Sequence, residues 1–349
     1  MNARTDIAAL DRAGLATALA GLGQPAFRVK QLVQWLYARG ATSFDEMTDL
    51  SLALRQQLAE RFTISTPTVV RRQESRDGTR KYLVRFDDGV SVETVGLPDG
   101  ERLTVCFSTQ AGCAMGCSFC ATGRSGLTRD LTCGEMVRQL QIVAADFDAR
   151  VTNAVAMGQG EPFANYDATL AALRYMNAPD GLAIGARHLT VSTCGLTAGI
   201  RRFATEPEQF TLAISLHSAL QATRDRLMPG VRGIPLPALR AEVIAYADAT
   251  GRRPTFEYAL ADGVNDTDTE LDALVEFCRG TLAHVNLIPV NPVTGAGLSR
   301  SSSARARVFR DALKAAGIEA SIRVERGADI DAACGQLRQR DESERGVDD

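Results

Sequence analysis

Three cysteines, Cys113, Cys117 and Cys120, stand in a C-x₃-C-x₂-C pattern within CFSTQAGCAMGCSFCATGRSG, residues 106–126, just after an apolar run at 103–107. Thiolates this close can wrap one metal centre. Ferredoxin-type clusters use four cysteines, and structural zinc sites also close with four ligands. Here the local count stops at three, and the nearest downstream histidine is His188. The arithmetic favours a cluster with one iron left open to a small molecule. Three buried or zinc-bound cysteines stay as the plain alternative, because short cysteine motifs recur by chance.

The elements that must position this loop are legible in the pattern around it. From residue 103 onward, strand-like runs at 103–108, 151–157, 188–193, 210–216, 254–259, 284–289 and 321–324 alternate with amphipathic stretches at 134–147, 167–176, 236–250, 269–278 and 304–316. Such alternation predicts a parallel sheet with helices outside, open or closed into a barrel, with ligands at the carboxyl ends of the strands. Small and polar motifs do collect there: the cysteine loop after the first run, GQGEP (158–162) after the second, STCG (192–195) after the third, Ser215-Leu216-His217 after the fourth and Asn291-Pro292 after the sixth. Core packing has no reason to repeat that placement, whereas a pocket does.

Residues 1 to about 90 read differently. FRVKQLVQWLYAR (27–39) places Phe27, Leu32, Trp35 and Leu36 on one helical face, and a second helix is expected at 50–62, opening near Ser51. KYLVRF and VSVETVGL, split by Asp87-Asp88-Gly89, predict a hairpin. The division expected is a helical accessory domain with its hairpin at 1–90, a sheet domain at 91–338 and a fraying tail at 339–349. The Gly/Ser-rich 293–303 segment should be a loop.

Composition bounds the class. At 349 residues, with 45% hydrophobic and 23% charged residues, the chain is ordinarily globular, and no apolar run reaches the ~18 residues of a membrane span. The charged start resembles neither a signal peptide nor an anchor, and eight unevenly spaced cysteines suit a reducing compartment, so a cytoplasmic protein is expected. A net charge of −3 carries no global mark of a nucleic-acid binder. Local patches exist at Arg71, Arg72, Arg76, Arg80 and Lys81 and at Arg300, Arg305, Arg307 and Arg310, each of which could be a solvated face.

Together, FRVKQLVQWLY, the cysteine loop with Phe119 before its last cysteine, GQGEP, ISLH (214–217), VNLIPVNP (285–292) and GADIDAACGQL (327–337) resemble the RlmN/Cfr family of radical S-adenosylmethionine (SAM) RNA methyltransferases. The resemblance covers most of the chain and implies a radical SAM partial (β/α)6 barrel, an α/β fold, with a small N-terminal helical accessory domain. It implies a 4Fe-4S cluster on Cys113, Cys117 and Cys120 and two SAM molecules per turnover. It also implies methylation of carbon 2 of an adenosine in 23S rRNA and in tRNA anticodon loops, and an electron donor such as flavodoxin. A monomer without membrane attachment is expected.

Carbon 2 of adenine is not nucleophilic, so a radical route is needed. By resemblance, Cys334 is first methylated and then, as a methylene radical, adds to carbon 2. Glu93 accepts the carbon 2 proton, and Cys106 attacks the Cys334 sulfur to release product in a transient disulfide. Gly160, Glu161, Ser192, Ser215, Leu216, His217 and Asn291 are the implied SAM contacts. Glu93 would otherwise be taken for a solvated strand residue, and Cys106 and Cys334 for small buried hydrophobes. Two positions depart from the family's common pattern, Gln159 where methionine is frequent and Cys194 where another small residue is. Rival readings are carbon 8 methylation of the same adenosine, as in antibiotic resistance, a radical SAM enzyme with another substrate, and a non-catalytic iron-sulfur RNA-binding module.

Overall fold

The computed structural model describes residues 4–291, 293, 297–333 and 335–337. Ten strands form one sheet, in the spatial order Ala320–Ile322, His284–Pro289, Thr255–Leu260, Thr211–Ser215, Leu189–Thr193, Asn153–Ala156, Arg102–Cys106, Ser91–Asp99, Arg80–Arg85 and Thr68–Glu74. Neighbours from Ala320–Ile322 to Arg102–Cys106 pair parallel, in chain order, and the remaining pairs are antiparallel. Parallel neighbours cannot be joined by tight turns, so each pair needs a crossover, and helices such as Cys133–Phe147, Tyr166–Asn177, Leu236–Thr250, Asp268–Cys278 and Ser303–Ala315 supply them. Arg102–Cys106 has the hairpin strand Ser91–Asp99 on its other side. The parallel wall is therefore an open, partial barrel.

Alternate residues of these strands share one buried face, where Val105, Ala154, Val191, Leu212, Phe256 and Leu287 meet the core, while Asn153, Ser192, Ser215 and Asn286 between them are half-buried. Caps set the helix starts. Thr132 and Glu135 make a reciprocal capping box at Cys133–Phe147, and the Ser302 and Thr267 side chains accept from Arg305 and Glu270. The strand at 284–289 and the helix at 236–250 fall where the sequence puts them. The short helices Thr197–Phe203 and Gln221–Leu227 and the small hairpin Gln110–Gly112 with Leu127–Asp130 carry too few periods to be read from the pattern.

In the N-terminal region, helices Arg12–Ala20, Arg28–Val33 and Leu52–Arg61 pack onto the sheet region through a shared apolar core that includes both Leu32 and Leu140. Tyr37 stacks on Tyr175 with centroids 4.1 Å apart. Ser51 caps its helix as expected. Phe27 does not join the buried face: it precedes the first helical residue, is 62% exposed and lies beneath the Arg28 guanidinium. Beyond Val33 the helix widens into a π turn, Gln34–Ala38, and Trp35 is half-buried with its indole N–H on Asp49 at 2.5 Å. The hairpin predicted around Asp87-Asp88-Gly89 is present. The 339–349 tail and part of the 293–303 segment lie outside the described residues. No helix among the described residues is long and apolar enough to cross a membrane.

Candidate functional site

The strand Arg102–Cys106 delivers the chain into the cysteine loop, and the small hairpin pinches the loop at its base. Gly112 sits at φ +80°, and a Cβ there would lie 2.0 Å from the Gly126 carbonyl, so this closure requires glycine. Main-chain bonds then fix the loop. Cys113 N–H donates to Gly126 at 2.7 Å, Ser118 N–H to Leu227 at 2.9 Å and Gly230 N–H to Met115 at 2.9 Å. Cys113, Cys117 and Cys120 all line one cavity, with Gly160, Ser192 and His217 on its other walls. Burial pushes the Cys113 thiol up to about 11 and Cys117 higher still. Binding iron would therefore have to displace protons. Among the described residues no three metal-binding side chains converge as a single ion demands. A cluster, which places each thiolate on a different iron, suits this wider triangle better than zinc does.

The opposite wall comes from the next strand ends. Gly158 and Gly160 (φ +105°) press against the segment 107–110, where a Cβ on either would meet the backbone at 2.7 Å. These glycines thus serve the packing of two loops. Glu161, wholly buried and with its pKa raised by desolvation, accepts from the Cys194 N–H at 2.7 Å and the Phe163 N–H at 3.0 Å. His217, at φ +57°, is buried and held neutral, its pKa drawn down to about 3 by desolvation and then by Arg224. Its Nδ1 accepts the Ala259 N–H at 2.9 Å, so the hydrogen belongs on Nε2 as a donor. Ser192, Ser215 and Asn291 also line the cavity, but the Leu216 side chain lies in the apolar core.

A second cavity adjoins the first and shares Cys120, Asn291, Arg323 and Gly335 with it. Cys106 lines it, as do Ala333 and Gly335. Cys334 itself lies outside the described residues, so only its neighbours are placed. The loop 327–333 leading to it hangs on the 68–85 hairpin. Gly327 N–H donates to Asp77 at 3.1 Å, the Ser75 hydroxyl and Arg76 N–H donate to Asp329 at 2.5 and 3.2 Å, and Lys81 Nζ donates to the Asp331 carbonyl at 3.1 Å. Glu93 is only 8% exposed, and Lys81 Nζ is 3.1 Å from its carboxylate. The solvated reading of Glu93 fails, because the hairpin's inner face is covered by this loop.

Lys81, grouped by sequence with a basic patch, is thus a buried link between Glu93 and the cysteine-bearing loop. In the same patch Arg72 and Arg80 meet Asp146 at 2.9 and 3.0 Å, and Arg80 stacks on Phe147. In the other patch Arg305 pairs with Asp268, Arg310 with Asp311 and Arg300 with Glu325. Sequence reasoning also passed over Arg224. The only signal was its spacing, since Leu220, Arg224 and Leu227 form an apolar stripe in which arginine is the odd member.

Comparison with known proteins agrees with this geometry. The family described as "Ribosomal RNA large subunit methyltransferase N-terminal domain" matches residues 5–64, and the "Radical SAM superfamily" matches residues 107–277. The chain is 45% identical over 339 residues to the "Probable dual-specificity RNA methyltransferase RlmN" of Pelotomaculum thermopropionicum, covering 97% of this chain and 92% of that one. It is 46% identical over 329 residues to the protein of the same name from Geobacillus kaustophilus, covering 93% and 90%. The crystal structure of a radical SAM methyltransferase from Sphaerobacter thermophilus superposes with a TM-score of 0.89 at 46% identity, over 96% of this chain and 99% of that one. With the cysteine triangle at the strand ends and near-complete coverage of these relatives, the chain belongs to the RlmN family of radical SAM methyltransferases.

Proposed function

We propose that the protein methylates carbon 2 of an adenosine in 23S ribosomal RNA, and of tRNA as well, by way of a methylated Cys334 and a transient Cys106–Cys334 disulfide. The observation that carries this reading is the shared wall of the two cavities: Cys120 faces both, Cys106 lines the second, and the residues on either side of Cys334 line it too. A cluster on Cys113, Cys117 and Cys120 would supply, with bound SAM, the one-electron chemistry that an unreactive aromatic carbon needs.

The chain's own residues account for the rest. The neutral His217 offers its Nε2–H to the cofactor cavity, and Ser192, Ser215, Gly160 and Asn291 fill out its walls. The Glu161 carboxylate acts from within the wall by fixing the peptides of Phe163 and Cys194. Glu93 takes the carbon 2 proton, and Lys81 Nζ, 3.1 Å away, holds its carboxylate in place. Cys106, at the end of its strand, then attacks the Cys334 sulfur as a thiolate, the bond from that sulfur to the methylene carbon breaks, and this carbon takes up a proton as the methylated base leaves. The adenosine has to be unstacked to enter the cavity that Cys106 lines, which suits a target in an RNA loop. A cytoplasmic monomer supplied by a flavodoxin-like electron donor belongs to the same reading.

The test is anaerobic reconstitution with iron and sulfide, addition of SAM, reductant and a ribosomal RNA fragment, and mapping of the methyl group by mass spectrometry beside Cys334→Ala. Methyl at carbon 2 that disappears in the variant is the expected result. Methyl at carbon 8 replaces the regiochemistry proposed here, and SAM cleavage without RNA methylation removes the substrate.

A further inference from the structure

Arg224 has no part in the roles above, yet its surroundings are unusual for an arginine. It is 0% exposed, on the helix Gln221–Leu227. Nη2 donates to the Cys194 carbonyl at 2.7 Å and the Ser215 carbonyl at 3.4 Å, while Nε and Nη1 have no hydrogen-bond partner. Among the described residues no carboxylate lies within ion-pair distance of it. An uncompensated buried cation costs several kcal/mol. A fold that keeps one must set something anionic against it.

Its neighbours indicate what that is. The carbonyl of Leu227, at the end of the same helix, accepts the Ser118 N–H at 2.9 Å, inside the cysteine loop. Leu227, Met228 and Val231 pack in one apolar cluster with Cys194, Cys117 and Phe119. Cys117, Cys194 and Asp225 are the groups whose charge acts on Arg224, and the neighbouring His217 is neutral. The Cys194 peptide is itself immobilised, its N–H on Glu161 and its carbonyl on Arg224. Arg224 does not line the cofactor cavity, so its charge acts from behind the wall.

We propose that Arg224 is the fixed counter-charge of the iron-sulfur cluster, a guanidinium set behind Cys117 that offsets the three thiolates and favours the cluster's reduced form. The inference rests on the reading that Cys113, Cys117 and Cys120 hold a cluster. Reduction adds one electron to a site that is already anionic, and a nearby permanent cation stabilises the more negative state. Arginine suits the task because it stays protonated where a buried lysine would not.

The test is a redox titration of the reconstituted full-length protein, followed by electron paramagnetic resonance without RNA. Arg224→Met removes the charge. Arg224→Gln also removes the charge and keeps an N–H donor for the Cys194 carbonyl. At wild-type iron and sulfide content, Arg224→Met is expected to hold on the order of tenfold less reduced cluster at equal reductant, the effect of one unit charge acting over several ångströms of protein. A fraction equal to wild type overturns the proposal. Should Arg224→Met fail to fold or to load, Arg224→Gln decides. A reduced fraction on the order of tenfold below wild type supports the counter-charge, and one equal to wild type overturns it. A wild-type protein that takes up no cluster rejects the underlying reading instead, and iron analysis separates that failure from the others.

Discussion

On the cysteine-loop side of the joined cavities, main chain bonds to main chain: Cys113 to Gly126, Ser118 to Leu227 and Gly230 to Met115. On the other side, the loop before Cys334 is held to the hairpin mainly by side chains, those of Ser75, Asp77, Lys81 and Asp329. Main-chain closure inside a packed core gives a fixed geometry, which a cluster needs. Side-chain anchors on a loop can be released one at a time, and local opening is cheapest where such contacts are few and exposed. A thiol that has to meet a methyl donor, then RNA, then Cys106 gains from that kind of mount.

The largest effect expected is on the fixed side. Cys117→Ser should lose the cluster and lower SAM cleavage by on the order of a thousandfold or more, with iron and sulfide analysis and turnover as the measurements. The loop on the other side should keep its amide protection. If protection at 327–333 collapses as well, the two sides are one cooperative unit and the contrast fails.

Next comes Lys81→Met. Removing the ammonium takes away both the partner of Glu93 and the anchor of the Asp331 carbonyl. Release of methylated RNA should slow by about 10²–10⁴-fold, the usual range for loss of a positioned proton acceptor, and a covalent protein–RNA adduct should build up on a denaturing gel. Iron content should stay at the wild-type level. Lys81→Arg, which keeps the charge, should recover part of the release rate. A loss of iron equal to the loss of release would show that Lys81 supports both sides.

A smaller effect follows from Asp77. Burial opposes its ionisation, but the Thr79 and Gly327 amides outweigh that and bring its pKa down to about 2. Because the folded value lies below the 3.8 of an ordinary aspartate, the stabilisation is complete above about pH 4 and is lost as pH falls toward 2. Docking of the loop should therefore not vary between pH 5 and 8 on this account. Asp77→Asn should reproduce the acid loss at neutral pH, with roughly several-fold faster amide exchange at 327–333 and none added in the cysteine loop. Unchanged exchange would mean that Ser75 and Lys81 carry the docking without it.

The cysteine-loop side was far more legible in sequence than the side that carries the loop before Cys334, for a physical reason. A ligand triangle built on one loop after one strand is local, so Cys113, Cys117 and Cys120 declare themselves by spacing, and strand ends collect Ser192, Ser215 and His217 by rule. Glu93, Lys81 and Asp329 meet only through strand pairing and a return of the chain over some 250 residues, as in the Lys81–Asp331 contact. No periodicity encodes that return, and Glu93 was singled out by family resemblance alone. Arg224 failed to stand out because a charge on a short helix is surface-like by default, and only the packing of Leu227 against Cys117 turns it inward.

The smallest effect concerns a side chain on the fixed side that contributes nothing to the holding. Gln159 is 1% exposed, its N–H donates to the Ser108 hydroxyl and its carbonyl accepts from Thr109 and Gln110, while both amide atoms of its side chain lack a hydrogen-bond partner. The backbone positions this turn and the buried amide opposes it, at a cost of about 1–3 kcal/mol. Gln159→Met, similar in length and without the polar atoms, should raise the melting temperature by roughly a few degrees and leave SAM affinity within about twofold. A gain in stability with unchanged affinity sharpens the contrast, because it shows that the Gln159 side chain takes no part in holding this side. A tenfold weaker SAM affinity would instead make the amide a cofactor contact, and the fixed side would then be complete only when loaded.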